Sequence, residues 1–149
     1  MDWKRFFAIL ALGAGTGLAW NALSGRGFTL TRSVLAQEGD ELVQAKQAKV
    51  LLDRGALFLD ARPHDFWKMS RIPGALSLPE DGFEAAFASL EPTIRHAKAV
   101  VVYCSGYGCD ASHLVARRLR ELGIAAAVLD EGLPAWEDAR LPIDHEPKP

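Results

Sequence analysis

The chain has two cysteines, and they lie five positions apart in "VVYCSGYGCDAS", residues 101–112. Four chemistries fit such a pair: a nucleophile with its partner, a structural disulfide, half of a metal site, or two buried thiols. Cys104 ends an apolar, β-branched run that reads as a buried strand, and a helix opens near Ser112. The loop between them therefore lies over a helix N-terminus, where unpaired N–H groups and the helix dipole favour negative charge. A thiolate is the nucleophilic form of cysteine, and such a position lowers the pKa of a thiol. Gly106 and Gly108 allow the backbone to curl, so Ser105, Gly106, Tyr107 and Gly108 can form an anion cradle. Cys104 is the predicted nucleophile. Cys109 admits three roles: a resolving thiol for an oxidised or sulfur-loaded Cys104, its partner in a structural disulfide, or a passive loop residue. Cys104, Cys109 and His113 are spaced C-x4-C-x3-H, but structural zinc takes four ligands, usually in closer cysteine pairs. No metal and no cofactor are predicted.

A second strand end carries charge. "ALFLDARP" is a short apolar run that stops at Asp60 and Arg62. Arg62 either binds a substrate anion or pairs with Asp60, which orders the corner. Trp67 and Tyr107 either wall a pocket or pack as ordinary aromatics. Trp136 reads as a core residue, and Gly132 as a positive-φ position after a strand. His64, His96 and His113 read as solvated.

These groups need elements to hold them. "DELVQAKQAKVLLDRG" has apolar residues at helical spacing, with Gly55 as a stop. Strands follow at "ALFLDAR", after the Pro73-Gly74 turn up to Pro79, at "AKAVVVYC" and at "IAAAVLD". Helices are predicted at "DGFEAAFASL", at "SHLVARRLRELG" with a stripe of Leu114, Val115, Leu119 and Leu122, and at "GLPAWEDA". Strands alternating with helices imply an α/β fold, a mainly parallel central sheet flanked by helices. Active sites in such sheets collect beyond the carboxyl ends of the strands. The Asp60–Arg62 and Cys104 ends are accordingly expected to face one another across a cleft.

The first 40 residues differ. Residues 6–23 contain no charge and follow Lys4 and Arg5, with Trp3 before them and Trp20 near their far end. As a helix they would measure about 27 Å, near the thickness of a bilayer core. Residues 1–24 are expected to be a membrane anchor; a cleaved signal peptide or a buried helix are the alternatives. The flanking charges favour an N-terminus inside, with the main domain outside the cytoplasm. Residues 25–40 read as a linker, 41–143 as the folded domain and 144–149 as a loose tail. The net charge of −2 and the lack of a basic run give no footprint for nucleic acid.

Four pieces in order, "LFLDARP" at 57–63, "RIPGALSLP" at 71–79, "VVYCSGYG" at 101–108 and "VLDEGLPAWEDARLPI" at 128–143, resemble a rhodanese domain. The resemblance implies a small three-layer α/β fold. It also implies a cysteine that takes sulfane sulfur from a small sulfur-containing anion or a persulfide, becomes a persulfide, and passes the sulfur to a thiol or other thiophilic acceptor, which can be a protein. It carries the nucleophile onto Cys104 and the charged strand-end pair onto Asp60 and Arg62. The chain departs from the family pattern in its loop. Counted back from Gly123, the cysteine would fall at 106, so the loop is two residues longer. Ala111 stands where an arginine is usual before Ser112. Met69-Ser70-Arg71 stands where Gly-His usually precedes the "RIPGA" piece. A wider cradle without a guanidinium suits small dianions such as thiosulfate less well. The other reading is a rhodanese-like redox or protein-binding module that uses a Cys104/Cys109 thiol–disulfide switch.

Overall fold

The computed structural model describes Trp3 and residues 40–145. The apolar run of the predicted membrane anchor, residues 6–23, lies outside the described residues, as do residues 25–39 of the predicted linker 25–40 and residues 146–149 of the tail. Among the described residues, no helix is long and apolar enough to cross a membrane.

The elements run β1 (Glu41–Val43), α1 (Ala45–Asp53), β2 (Leu57–Asp60), α2 (His64–Met69), β3 (Ser70–Arg71), β4 (Leu76–Ser77), α3 (Phe83–His96), β5 (Val100–Tyr103), α4 (Ala111–Glu121), β6 (Ala127–Leu129), α5 (Gly132–Asp138) and β7 (Asp144–His145). Five strands form one sheet in the order β1-β6-β5-β2-β4, and every pair is parallel. The α/β expectation holds.

β5 occupies the centre, and all four of its residues are buried. That is why its sequence is an unbroken β-branched run: both faces of a parallel sheet are covered. Period-2 alternation still sorts its side chains. Val100, Val102 and Cys104 join Leu59, Val115, Leu119 and Ile94 in one core cluster. Val101 and Tyr103 join Phe58, Ile72, Leu129 and Trp136 in the other. Trp136 is fully buried against Phe58 and donates its indole N–H to the Pro142 carbonyl at 2.8 Å, as a core tryptophan should.

Three local expectations are corrected. Residues 41–43 form a strand rather than the start of a helix: Glu41–Val43 pairs with Ala127–Leu129, and the backbone ladder outweighs weak helical spacing over three residues. The start of the tail is not loose, because Asp144–His145 pairs antiparallel with Ser70–Arg71. The α4 stripe is made by Ser112, Val115, Ala116 and Leu119, whereas Leu122 is exposed just before Gly123 ends the helix at φ 79°. The short helix α2 was not anticipated.

Candidate active site

β2 and β5 run side by side in register, with Leu59 opposite Val102 and Asp60 opposite Tyr103. Their carboxyl ends are therefore neighbours. The expected cleft between the two reactive ends is nevertheless corrected. Alternation sends Cys104 to the face covered by α3 and α4, while Asp60 and Arg62 meet Tyr103 on the opposite face. The Arg62 guanidinium lies over the Tyr103 ring at 5.7 Å, and burial beside Asp60 pushes the tyrosine hydroxyl far up.

Asp60 is wholly buried, and Arg62 nearly so. Arg62 donates from Nε at 2.9 Å and from Nη2 at 2.6 Å to the two Asp60 carboxylate oxygens. Nη2 also donates to the Ser70 carbonyl at 2.6 Å, and the Arg62 backbone N–H returns to Asp60. This is a bidentate, charge-assisted pair. Burial works against the charged guanidinium, but its hydrogen bonds and charge pairing with Asp60 leave the Arg62 pKa raised. Of the two roles open to Arg62, the geometry supplies the pairing with Asp60. Trp67 belongs to this side too: its indole N–H donates to Ala75 O, and its ring is stacked on His64 and covered by Arg71.

The cysteine loop is built differently. Cys104 is 2% exposed and Cys109 is half-buried. The Cys104 thiol donates to the Cys109 carbonyl at 3.2 Å. Ser112, buried in the first turn of α4, donates its hydroxyl to the Cys104 sulfur at 3.3 Å. The Gly106 N–H also faces that sulfur, and the Ser105 and Ala111 N–H groups face the Cys109 sulfur. The two thiol side chains also act on one another's pKa. A tight turn, Cys109 N–H to Gly106 O at 3.0 Å, closes the loop, with Gly106 at φ 92° and Gly108 at φ 71°.

One side of the loop is clamped. Leu133 N–H donates to the Cys104 carbonyl at 2.9 Å. A Cβ on Gly132 would lie 2.3 Å from the Cys104 carbonyl oxygen, and one on Gly106 would lie 2.6 Å from the Glu131 carbonyl oxygen. Only glycine fits at either place, and Gly132 has the positive φ expected of it. The other side is open, with nothing within 4 Å of a Cβ at Gly108. Tyr107 is exposed and donates its hydroxyl to Glu131 at 3.2 Å.

The charge on the pair departs from expectation. The hydrogen bond from the Cys104 thiol, and then the Ala111 and Ser105 N–H groups, lower the Cys109 pKa to about 6 against the effect of burial. Cys104 is pushed up, first by its hydrogen bond with Cys109 and then by burial, although Ser112 and the Gly106 N–H act the other way. The first thiolate therefore rests on Cys109. The donors over the helix N-terminus do favour a thiolate, but burial of Cys104 directs it to the neighbouring sulfur.

Sequence reasoning missed two residues of this region. Ser112 was placed as the helix start, and its hydrogen bond to Cys104 could have been read from α4 periodicity had the face been known. His113 is not solvated: its Nδ1, with Arg120, pairs with the buried carboxylate of Asp40. Among the described residues, no group of three or more metal-ligating side chains is assembled. A cavity of about 560 Å³ lies at the amino ends of the strands, lined by Val100, Ile124, Ala126, Arg95 and Lys98, at the opposite end of the sheet from Cys104.

A parallel five-stranded sheet, with a cysteine at the carboxyl end of its central strand and a glycine loop leading into a helix, defines a class of α/β thiol-bearing domain. The chain belongs to the rhodanese-like domain family, whose pattern matches residues 44–139. The fold resembles a thiosulfate sulfurtransferase from Pseudomonas aeruginosa, with 29% identity, a TM-score of 0.61, and 76% of this chain aligned to 22% of that one. It also resembles a rhodanese-related protein from Thermoplasma volcanium, at 17% identity and a TM-score of 0.60, covering 70% and 97% of the two chains. An HTH-type transcriptional regulator of Mycobacterium tuberculosis is 27% identical over 143 residues, 96% of this chain. The chain spans 59% of the length of that regulator.

Proposed function

We propose that the domain is a sulfurtransferase that carries sulfane sulfur as a persulfide on Cys104 and delivers it to a thiol. The observation that carries this reading is the Cys104 sulfur at the end of the central strand, with the Ser112 hydroxyl donating to it at 3.3 Å. Loss of its proton to solvent leaves a Cys104 thiolate, held by the Ser112 hydroxyl and the Gly106 N–H. The Cys104 thiolate attacks the outer sulfur of a persulfide donor RS–SH, forming the Cys104 persulfide and expelling RS⁻, which takes a proton from solvent. The loop backbone of Ser105, Gly106, Tyr107 and Gly108 receives the donor, as the family resemblance implies.

The charge around the loop favours a persulfide over a dianion. No lysine or arginine occurs between Val102 and Ala116, while Asp110 and Glu131 flank the loop. Arg62 lies on the other face of the sheet, bound to Asp60. A low-charge persulfide enters such a mouth more easily than thiosulfate. The acceptor is a small or protein thiol. Residues 6–23 would tether the domain to a membrane and place it outside the cytoplasm; resistance of the full-length protein to carbonate extraction tests the tether.

Full-length protein is incubated with glutathione persulfide or thiosulfate, quenched in acid and mapped by peptide mass. A sulfur of about 32 Da on Cys104 is expected in Cys109→Ser, where no second thiol can displace it, and is gained faster from the persulfide. No adduct on Cys104 with either donor, in wild type or in Cys109→Ser, overturns the reading. A thiol–disulfide switch or protein-binding module is the second reading. The closeness of Cys109 to the Cys104 sulfur and the similarity to a transcriptional regulator favour it.

A further inference from the structure

The two sulfurs are not equivalent in freedom. Cys104 is fixed: its carbonyl accepts from Leu133, Gly132 is pressed against it, and the residue is almost wholly buried. Cys109 lies on the open half of the loop, beyond Gly108, whose surroundings leave room for movement. Its backbone carbonyl already accepts from the Cys104 sulfur at 3.2 Å, which brings Cys109 beside the atom that becomes the inner sulfur of a persulfide. We infer that Cys109 attacks this inner sulfur and that the domain thereby reduces persulfide to hydrosulfide, forming a Cys104–Cys109 disulfide.

This inference rests on the Cys104 persulfide of the proposed function and assigns it an internal outcome. The step balances without an added oxidant. The Cys109 thiolate forms a bond to Cys104 Sγ, and the Sγ–sulfane bond breaks. Its electron pair leaves with hydrosulfide, HS⁻. The sulfane sulfur is reduced, and the two cysteines are oxidised to the disulfide. An external dithiol then reduces the disulfide by exchange and restores the starting pair. The bond is within reach, since the Cys109 carbonyl oxygen lies 3.2 Å from the Cys104 sulfur and only the open half of the loop must move to reach disulfide geometry. Thiolate character on Cys109, supported by the Ser105 and Ala111 N–H groups, makes it the attacking group. The internal thiol needs no entry into the loop, so it competes with an external acceptor for the same persulfide.

The test is a single turnover without reductant or oxygen. Full-length wild type, Cys109→Ser, Cys109→Ala and Cys104→Ser are each exposed to glutathione persulfide, with hydrosulfide and intact mass followed together. Wild type should release hydrosulfide stoichiometrically above the Cys104→Ser blank and finish about 2 Da lighter, as a disulfide. Both Cys109 variants should release none above that blank and retain an adduct of about 32 Da. Wild type that keeps the adduct and releases no hydrosulfide, like the Cys109 variants, overturns the inference and leaves the Cys104 persulfide standing. A far heavier mixed disulfide with glutathione in the Cys109 variants also overturns it, because the hydrosulfide then came from the donor. Absence of any adduct in those variants refutes the proposed function itself.

Discussion

Two neighbouring strand ends have been given opposite jobs. At the end of β2, a carboxylate and a guanidinium meet in bidentate contact and are surrounded by partners. At the end of β5, two thiols lie close together in a loop without a cation, and the buried one is bonded to the Cys109 carbonyl and the Ser112 hydroxyl. The first corner buries full charges and neutralises them, which makes it stiff. The second buries polarisable sulfur with hydrogen-bond donors beside it, which is the condition for nucleophilic attack. One residue of offset across a parallel register puts them on opposite faces, so charge can brace the sheet without reaching the sulfur.

If that contrast is right, the two corners respond differently to mutation. Arg62→Met leaves the buried Asp60 charge without its partner and should cost about 3–5 kcal/mol, read as a large fall in the denaturant midpoint. Folded Arg62→Met protein should still load sulfur with an unchanged KM for persulfide; a raised KM would place Arg62 in the donor site and break the comparison. Gly132→Ala drives a Cβ into the Cys104 carbonyl and a left-handed backbone, so about 1–3 kcal/mol of stability should be lost together with sulfur loading. Gly108→Ala, strained in φ but free of clashes, is the milder control. Ser112→Ala removes one hydrogen bond to sulfur, worth about 1 kcal/mol, and should slow loading roughly fivefold without shifting the denaturant midpoint much. The smallest effect is a titration. Because the Cys109 pKa is lowered to about 6, its alkylation by iodoacetamide should be near full rate at pH 7 and fall as pH drops through 6. In Cys104→Ser the inflection should move up toward that of an ordinary thiol, since the largest cause of the shift is gone.

Much of the fold could be read in advance where local pattern and tertiary environment agree. The run ending at Cys104 is continuous because β5 is central, and Gly123 ends α4 where the apolar spacing stops. Trp136 was recognisable as core. The errors arose where an element depends on a distant partner. Glu41–Val43 is a strand because β6 offers it an edge, and Asp144–His145 is a strand because β3 does. Two- and three-residue ladders have no period to detect. His113 looked solvated because its partner, Asp40, lies 73 residues away.

The site divides in the same way. Sequence alone determined the inventory: a strand-end cysteine, a glycine loop, a helix behind it, and a second cysteine in a loop that lacks the family's usual arginine. These follow from local rules of strand, turn and helix, which act over a few residues. Only the tertiary structure decided which face each side chain occupies, and therefore that Asp60 and Arg62 brace one side while Ser112 serves Cys104 on the other. It also decided that the thiolate rests on Cys109, because pKa depends on burial and on donors brought together by folding. Register and burial are properties of packed elements, and no stretch of twelve residues contains them.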